Sequence, residues 1–277
     1  MKLNDKGILS LSNRLAECKI SLWGGNVVSY RPRGEVHDVF WLGNLNKFDN
    51  VQAIRGGIPV CWPRFSEETL NNDLPRHGFA RLSEWKTDKV LIDDNVIEVV
   101  LSLVPDIKYG LDVSAKLFVK VTDKLQCVLE TTNNGKKEFK FSEALHAYFN
   151  VGERDQVEIK GFDGCKYCNF FDGSLCEQKG NLTIKKEFDA AFINHRNAVE
   201  IVDPMLNRVI YLKKEGSDST VVWNPNKDLP EMSFEQYKNF VCVEPSNQGN
   251  SFVTLKAGEK HQMTMIVEVS KLKQLEK

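Results

Sequence analysis

Apolar and polar residues alternate along much of the chain. Cys18, Ile20 and Leu22 alternate with Glu17, Lys19 and Ser21 ahead of a Gly24-Gly25 turn. Ile97, Val99, Leu101 and Leu103 form the next clear run, and Val113, Ala115, Leu117, Val119 and Val121 the one after it. Leu125, Cys127 and Leu129 lead to Asn134-Gly135, with Phe139 and Phe141 beyond. Asn-Gly tolerates the positive φ of a tight hairpin, so this pattern predicts two strands joined at that turn. Met263, Met265, Val267 and Val269 close the series. A period of two places every second side chain on one face of a strand. Helical periodicity is confined to a short segment around Phe234 to Phe240, with Pro230 upstream as its starter. Short antiparallel strands with little helix between them predict an all-β fold, a large antiparallel β-sandwich. No glycine-rich linker, low-complexity tract or internal repeat divides the 277 residues, so one domain over 1–277 is expected. The lysine-rich end (Lys271, Lys273, Lys277) reads as a frayed terminus.

Composition narrows the chemistry. Hydrophobic residues make up 42% and charged residues 27%, an ordinary globular balance that supports a packed core. Lys and Arg number 37 against 38 Asp and Glu, a net charge of −1. That balance lacks the basic excess of nucleic-acid or acidic-membrane partners, and neither is expected. Any bound anion must then be held by a few local arginines. The start, Met-Lys-Leu-Asn-Asp-Lys-Gly, lacks the apolar run of a signal peptide, and nowhere do about 18 apolar residues run together. A cytoplasmic location is therefore expected, with Cys18, Cys61, Cys127 and Cys242 as reduced core thiols. Cys165 and Cys168 form one CxxC without a second ligand pair at zinc-site spacing, so no metal and no cofactor is expected. The chain has no Walker-type phosphate loop, no GxGxxG after a strand and no GxSxG nucleophile elbow. A glycosidase would need two carboxylates at a set separation, and only Glu244 occupies a distinctive setting.

Four segments break the alternation. In Ala53–Phe65, two glycines and two prolines fix an irregular backbone beside Arg55, and glycine allows a ligand to approach the chain closely. The residues equally fit a sandwich corner with a surface arginine. Leu74–Arg81 carries Arg76, His77 and Arg81 between proline and glycine. Arginine's planar fork suits phosphate, so Arg55, Arg76 and Arg81 could together hold one, or stand as solvated surface groups. Phe141–Val151 places His146 in an apolar, aromatic strand, either as a satisfied core residue or as a proton carrier near neutral pH. In Phe240–Asn247, Glu244 ends an apolar run. A buried carboxylate is costly unless it is paired or used, and burial raises its pKa toward the range of a general base.

At these segments the chain resembles the aldose 1-epimerase superfamily and, within it, the glucose-6-phosphate 1-epimerase branch. The resemblance rests on Arg-Gly-Gly-Ile-Pro at 55–59, His-Gly-Phe-Ala-Arg at 77–81, His-Ala-Tyr-Phe-Asn-Val at 146–151 and Val-Glu-Pro at 243–245, in that order over nearly the whole chain. It implies a galactose-mutarotase-like β-sandwich and a small-molecule sugar phosphate as partner. The implied reaction is ring opening and reclosure of a hexose 6-phosphate. His146 would be the acid that protonates the ring oxygen, and Glu244 the base at the anomeric hydroxyl. The resemblance further implies substrate contacts from Arg55, Arg76, His77 and Arg81, with Asp189 binding a hydroxyl. Arg64 and Arg76 depart from related sequences and could strengthen anion binding. An epimerase of unphosphorylated sugars and a non-catalytic sugar-phosphate binder remain the rival readings. The arginine set speaks against the first, and the presence of both His146 and Glu244 against the second.

Overall fold

Residues 97–103, 113–133 and 260–271 fold as their alternation dictates. The computed structural model describes residues 1–66, 74–105 and 107–272, without the side chain of Ile107. Ile97–Leu103, Val113–Val121 and Leu125–Asn133 are successive antiparallel strands, and Lys260–Lys271 lies beside Leu125–Asn133. They belong to an eight-stranded sheet that runs from Glu158–Lys160 at one edge to Trp85–Ile92 at the other. Its inward residues, among them Leu117, Val119, Leu129 and Met265, are buried, while lysines such as Lys116 and Lys120 face solvent. One covered face and one wet face explain the clean period of two.

A second eight-stranded sheet packs against the first. Its strands run in the order Leu175–Glu177, Lys166–Asn169, Phe188–Phe192, Ser219–Asn224, Phe240–Asn247, Glu143–Leu145 and Val60–Cys61, with Tyr148–Asn150 also paired to Phe240–Asn247. Val222, Val241, Val243 and Leu145 point into the core shared with the first sheet. The intervening residues Val221, Trp223, Cys242 and Ala144 lie on the opposite face, in separate apolar clusters. Both faces of these strands are covered, so their sequences read as continuous apolar runs. A four-stranded sheet spanning Lys2 to Pro32 supplies Leu11, Cys18, Ile20 and Tyr30 to the common core. Gly24 and Gly25 turn with positive φ before its last strand. The molecule is a large antiparallel β-sandwich, and among the described residues it has no α-helix.

Three local expectations are corrected. Phe139–Phe141 does not fold back on Leu125–Asn133 but pairs with Val253–Leu255. The buried Asn133 amide redirects the chain: its Nδ2 donates to the Lys137 and Leu255 carbonyls, and its Oδ1 accepts from the Gly135 N–H. The segment around Phe234 to Phe240 is a single 3-10 turn over Gln236–Asn239, and Phe234 is exposed. Side chains fix that turn, with Asp228 accepting from the Tyr237 N–H and Asn224 donating to the Tyr237 carbonyl. Lys271 closes the long final strand opposite Arg208 and does not fray; Lys273 and Lys277 lie outside the described residues.

Candidate active site

Backbone pairing draws the four irregular segments together. The Pro59 carbonyl accepts from the His146 N–H at 3.0 Å, and the Gly57 carbonyl from the Tyr148 N–H at 2.9 Å. Tyr148 in turn sits opposite Cys242, two residues from Glu244 on the same face of its strand. The fourth segment is tied on where the Ala80 N–H donates to the Trp62 carbonyl at 3.1 Å. Only glycine fits at 78, since a Cβ there would lie 2.1 Å from the Trp62 oxygen and its φ is +70°. Gly57 has a related role, with a Cβ destined for 2.5 Å from the Val27 oxygen. The glycine at 57 thus admits a neighbouring strand, where the sequence reading has it admit a ligand.

All seven residues singled out in the sequence line one cavity of about 260 Å³. Asp189 and Glu244 rise from two strands of the second sheet that flank Ser219–Asn224, and His146 from the break between Glu143–Leu145 and Tyr148–Asn150, which both pair with the strand of Glu244. Arg55, Arg76, His77 and Arg81 come from the irregular segments. Arg64 does not line it; its Nη1 donates to the Leu74 carbonyl at 2.6 Å. Sequence reasoning missed Phe65, Trp223 and Leu229 in the lining, and Tyr148 and Glu231 behind it. Tyr148 and Trp223 lie in apolar runs that carry no face signal. Glu231 meets Arg55 across 176 positions of sequence, which no local pattern reveals.

Glu244 is wholly buried and His146 is 8% exposed. Glu244 Oε1 lies 3.2 Å from His146 Nδ1, yet neither atom has hydrogen-bond geometry with any group among the described residues, and Glu244 Oε2 is equally unpartnered. Burial, then the nearby Asp189 charge, pushes the Glu244 carboxyl well up. Burial also pushes the His146 imidazole well down, and Arg55 and Arg81 add to the effect. Burial therefore favours a carboxylic acid beside a neutral imidazole over the charged pair. Aromatic rings hold the imidazole in place: Tyr148 stacks on it, and Trp223 and Phe65 meet it edge-on.

His77 adopts φ +62°, uncommon for a residue with a Cβ. Its Nδ1 accepts from the Ser66 N–H at 3.2 Å, which leaves the proton on Nε2. Burial and Arg81 hold the ring neutral, so His77 is a hydrogen-bond donor in this cavity and not a cation. Asp189 titrates at about 6, raised by burial and partly countered by Arg76. Arg55 is engaged, with Nε 3.3 Å from Glu231 Oε2 and Nη1 donating to the Tyr148 oxygen at 3.1 Å. Arg81 donates from Nη2 to the Arg76 carbonyl, and its buried Nε makes no hydrogen bond among the described residues. Burial lowers the Arg81 pKa, and Arg55 and Arg76 add repulsion that a bound anion would relieve.

His146, Cys242 and Glu244 could in principle offer three ligand atoms, which lie within 4.8 Å of one another. Burial holds the Cys242 thiol well up, so both thiol and carboxyl carry the protons that metal ligation removes. The set suits proton transfer better than coordination.

The family described as aldose 1-epimerase matches residues 7–268. A protein of Escherichia coli K12, provisionally named glucose-6-phosphate 1-epimerase, is 31% identical over 255 residues, covering 88% of this chain and 84% of its own. A protein of the same provisional name from the grass Cenchrus ciliaris is 28% identical over 262 residues, covering 87% and 78%. A crystal structure from Salmonella typhimurium, provisionally titled a mutarotase, superposes with a TM-score of 0.87 at 28% identity, covering 95% of this chain and 90% of that one.

Proposed function

Since the chain belongs to the aldose 1-epimerase family and is an isomerase of that class, we propose that it interconverts the α and β anomers of a hexose 6-phosphate, glucose 6-phosphate first among them. The observation that carries this reading is the buried, unpartnered Glu244 carboxyl set 3.2 Å from His146 in a cavity edged by Arg76 and Arg81. The name of the bacterial relative favours the phosphorylated substrate.

In this mechanism Glu244, as carboxylate, takes the proton from the anomeric hydroxyl while His146, as imidazolium, protonates the ring oxygen. The C1–O5 bond breaks, C1=O forms, and the open aldehyde turns about C1–C2 before reclosure by the reverse steps. One proton has moved through the substrate from His146 to Glu244, and the net charge of the pair is unchanged. The open-chain state thus coincides with carboxylic acid and neutral imidazole, the pair that burial favours. Proton transfer in the opening direction is helped to that extent. The charged pair is favoured in turn by the substrate's phosphate, which offsets the arginine charges acting on His146. Phosphate then contributes to turnover as well as to binding. Each proton-transfer group contributes about 10²–10⁴-fold in rate.

Exchange NMR on equilibrated glucose 6-phosphate and on glucose tests the reading. Faster exchange of the phosphorylated sugar, abolished in both His146→Ala and Glu244→Gln, is expected. Arg81→Ala should weaken phosphosugar turnover far more than turnover of the free sugar. Pairing of Arg55 with Glu231 leaves fewer net charges at the mouth and favours the neutral-sugar reading. Equal acceleration of both sugars would establish that alternative, and wild-type exchange in either acid–base variant would remove the assigned roles.

A further inference from the structure

Beyond Phe170 lies a second cavity, of about 280 Å³, as large as the first. The two share Phe170 as a wall, and Ala191 brings the second onto the face of the sheet that Asp189 occupies two residues earlier. No Asp, Glu, Lys, Arg or His is among its described lining residues, so nothing there balances a phosphate or a carboxylate. Phe170, Leu175 and Ile193 give it an apolar wall, and Phe170 and Leu175 remain substantially exposed. Polar groups stand elsewhere around it, on Ser219, Gln248 and Asn250. Gln248 is only 5% exposed, and neither its Nε2 nor its Oε1 has a hydrogen-bond partner among the described residues. A buried amide with donor and acceptor both unmade is a costly feature that a ligand's hydroxyls would relieve.

An uncharged ring with an apolar face and a rim of hydroxyls satisfies each of these features, because aliphatic C–H groups cover the wall while hydroxyls give to and take from Gln248. We propose that this cavity is a subsite for an uncharged pyranose. Such a ring can arrive as a free sugar beside the occupied first cavity, or as the second unit of a reducing disaccharide. The disaccharide route rests on the function proposed above; the subsite itself does not.

Methyl β-D-glucopyranoside is the first probe, being uncharged and blocked at its anomeric carbon. Saturation-transfer NMR on the full chain should detect its binding with glucose 6-phosphate present in excess. Gln248→Leu should weaken that binding at least ten-fold and leave glucose 6-phosphate exchange within about two-fold of the parent. Leu175→Glu, a change at an exposed position that puts a charge into the neutral cavity, should have the same effect and covers the case of a misfolded Gln248 variant. Maltose distinguishes the two routes. An exchange rate above that of glucose, lost in Gln248→Leu, indicates the linked ring; binding of the glucoside with no advantage for maltose indicates the free sugar. Displacement of the glucoside by glucose 6-phosphate, or unchanged affinity in both variants, overturns the subsite. Glucoside binding through Gln248 in a protein that fails to accelerate glucose 6-phosphate exchange would sink the proposed substrate and keep the subsite.

Discussion

The imidazole of His146 lies face to face with the phenol of Tyr148, 4.8 Å between ring centres and 10° between planes. The two residues are separated by Ala147, which points into the core while they share the cavity side. Tyr148 also accepts a hydrogen bond from Arg55, which contacts the Glu231 carboxylate as well. Tyr148 therefore links the proposed acid to a cation of the same cavity, and its hydroxyl and its ring do separate things.

Tyr148→Phe keeps the stacked ring and removes the acceptor for Arg55. A hydrogen bond to a charged group is worth about 1.5–3 kcal/mol, so kcat/KM for the phosphosugar should fall roughly ten-fold or more. Thermal stability should change little by comparison. Exchange NMR over a range of substrate concentrations reads the effect, and parent-like kcat/KM would remove the hydroxyl from the positioning chain.

Glu244 should lower the stability of the fold that it serves. Its ordinary pKa is 4.5 in the unfolded chain and lies well above that when folded, because it is buried. Above pH 4.5 the unfolded chain releases a proton that the folded chain keeps, so stability falls as pH rises through that window. Glu244→Gln removes the ionisation. It should raise the melting temperature at pH 7 while exchange activity is lost, at about 2–4 °C per kcal/mol recovered, and the gain should vanish near pH 4. His146 has the opposite sign: its pKa is depressed from 6.5, so its burial costs stability as pH falls below that value. An unchanged melting temperature for Glu244→Gln across pH 4–8 would contradict the buried-acid assignment.

Asp189 titrates at about 6 in the folded chain and should leave an inflection there in kcat/KM. A substrate phosphate titrates in the same range, with a second pKa of about 6. The ratio of the parent profile to that of Asp189→Asn cancels the phosphate and isolates the side chain. If Asp189 accepts a sugar hydroxyl as its carboxylate, that ratio rises with pH through about 6. A flat ratio from pH 5 to 8 would exclude it.

Gly78→Ala places a Cβ 2.1 Å from the Trp62 carbonyl oxygen, at a φ of +70°. Backbone faces backbone there, so no side chain can yield. The loss should exceed about 3 kcal/mol, among the larger effects of single substitutions, and carry His77 and Arg81 away with it. Circular-dichroism melting checks this, and a shift within 2 °C of the parent, about 0.5–1 kcal/mol, would show that the segment can move aside.

Where one face of a sheet meets water, the sequence by itself determined the structure. Val113–Val121 and Leu125–Asn133 declare their inward residues because the outward ones are polar. It also supplied the candidate residues of the site, since Arg55, His77, His146 and Glu244 are polar groups in settings that ordinarily exclude or do not need them. Partnership was left to the tertiary structure. Phe139–Phe141 pairs with a strand more than a hundred residues later because the amide of Asn133 holds the turn open, overriding the local preference of Asn-Gly. Tyr148 and Trp223 were illegible because strands covered on both faces lose the period that tells cavity from core. Glu231 and Gln248 reach their cavities across long stretches of chain, and side-chain contacts at that range are fixed by packing, not by neighbours in sequence. Residue chemistry singled out His146 and Glu244 as candidates, and the family resemblance supplied the roles proposed for them; only the folded sheet set them 3.2 Å apart in a dry place where burial favours the neutral form of each.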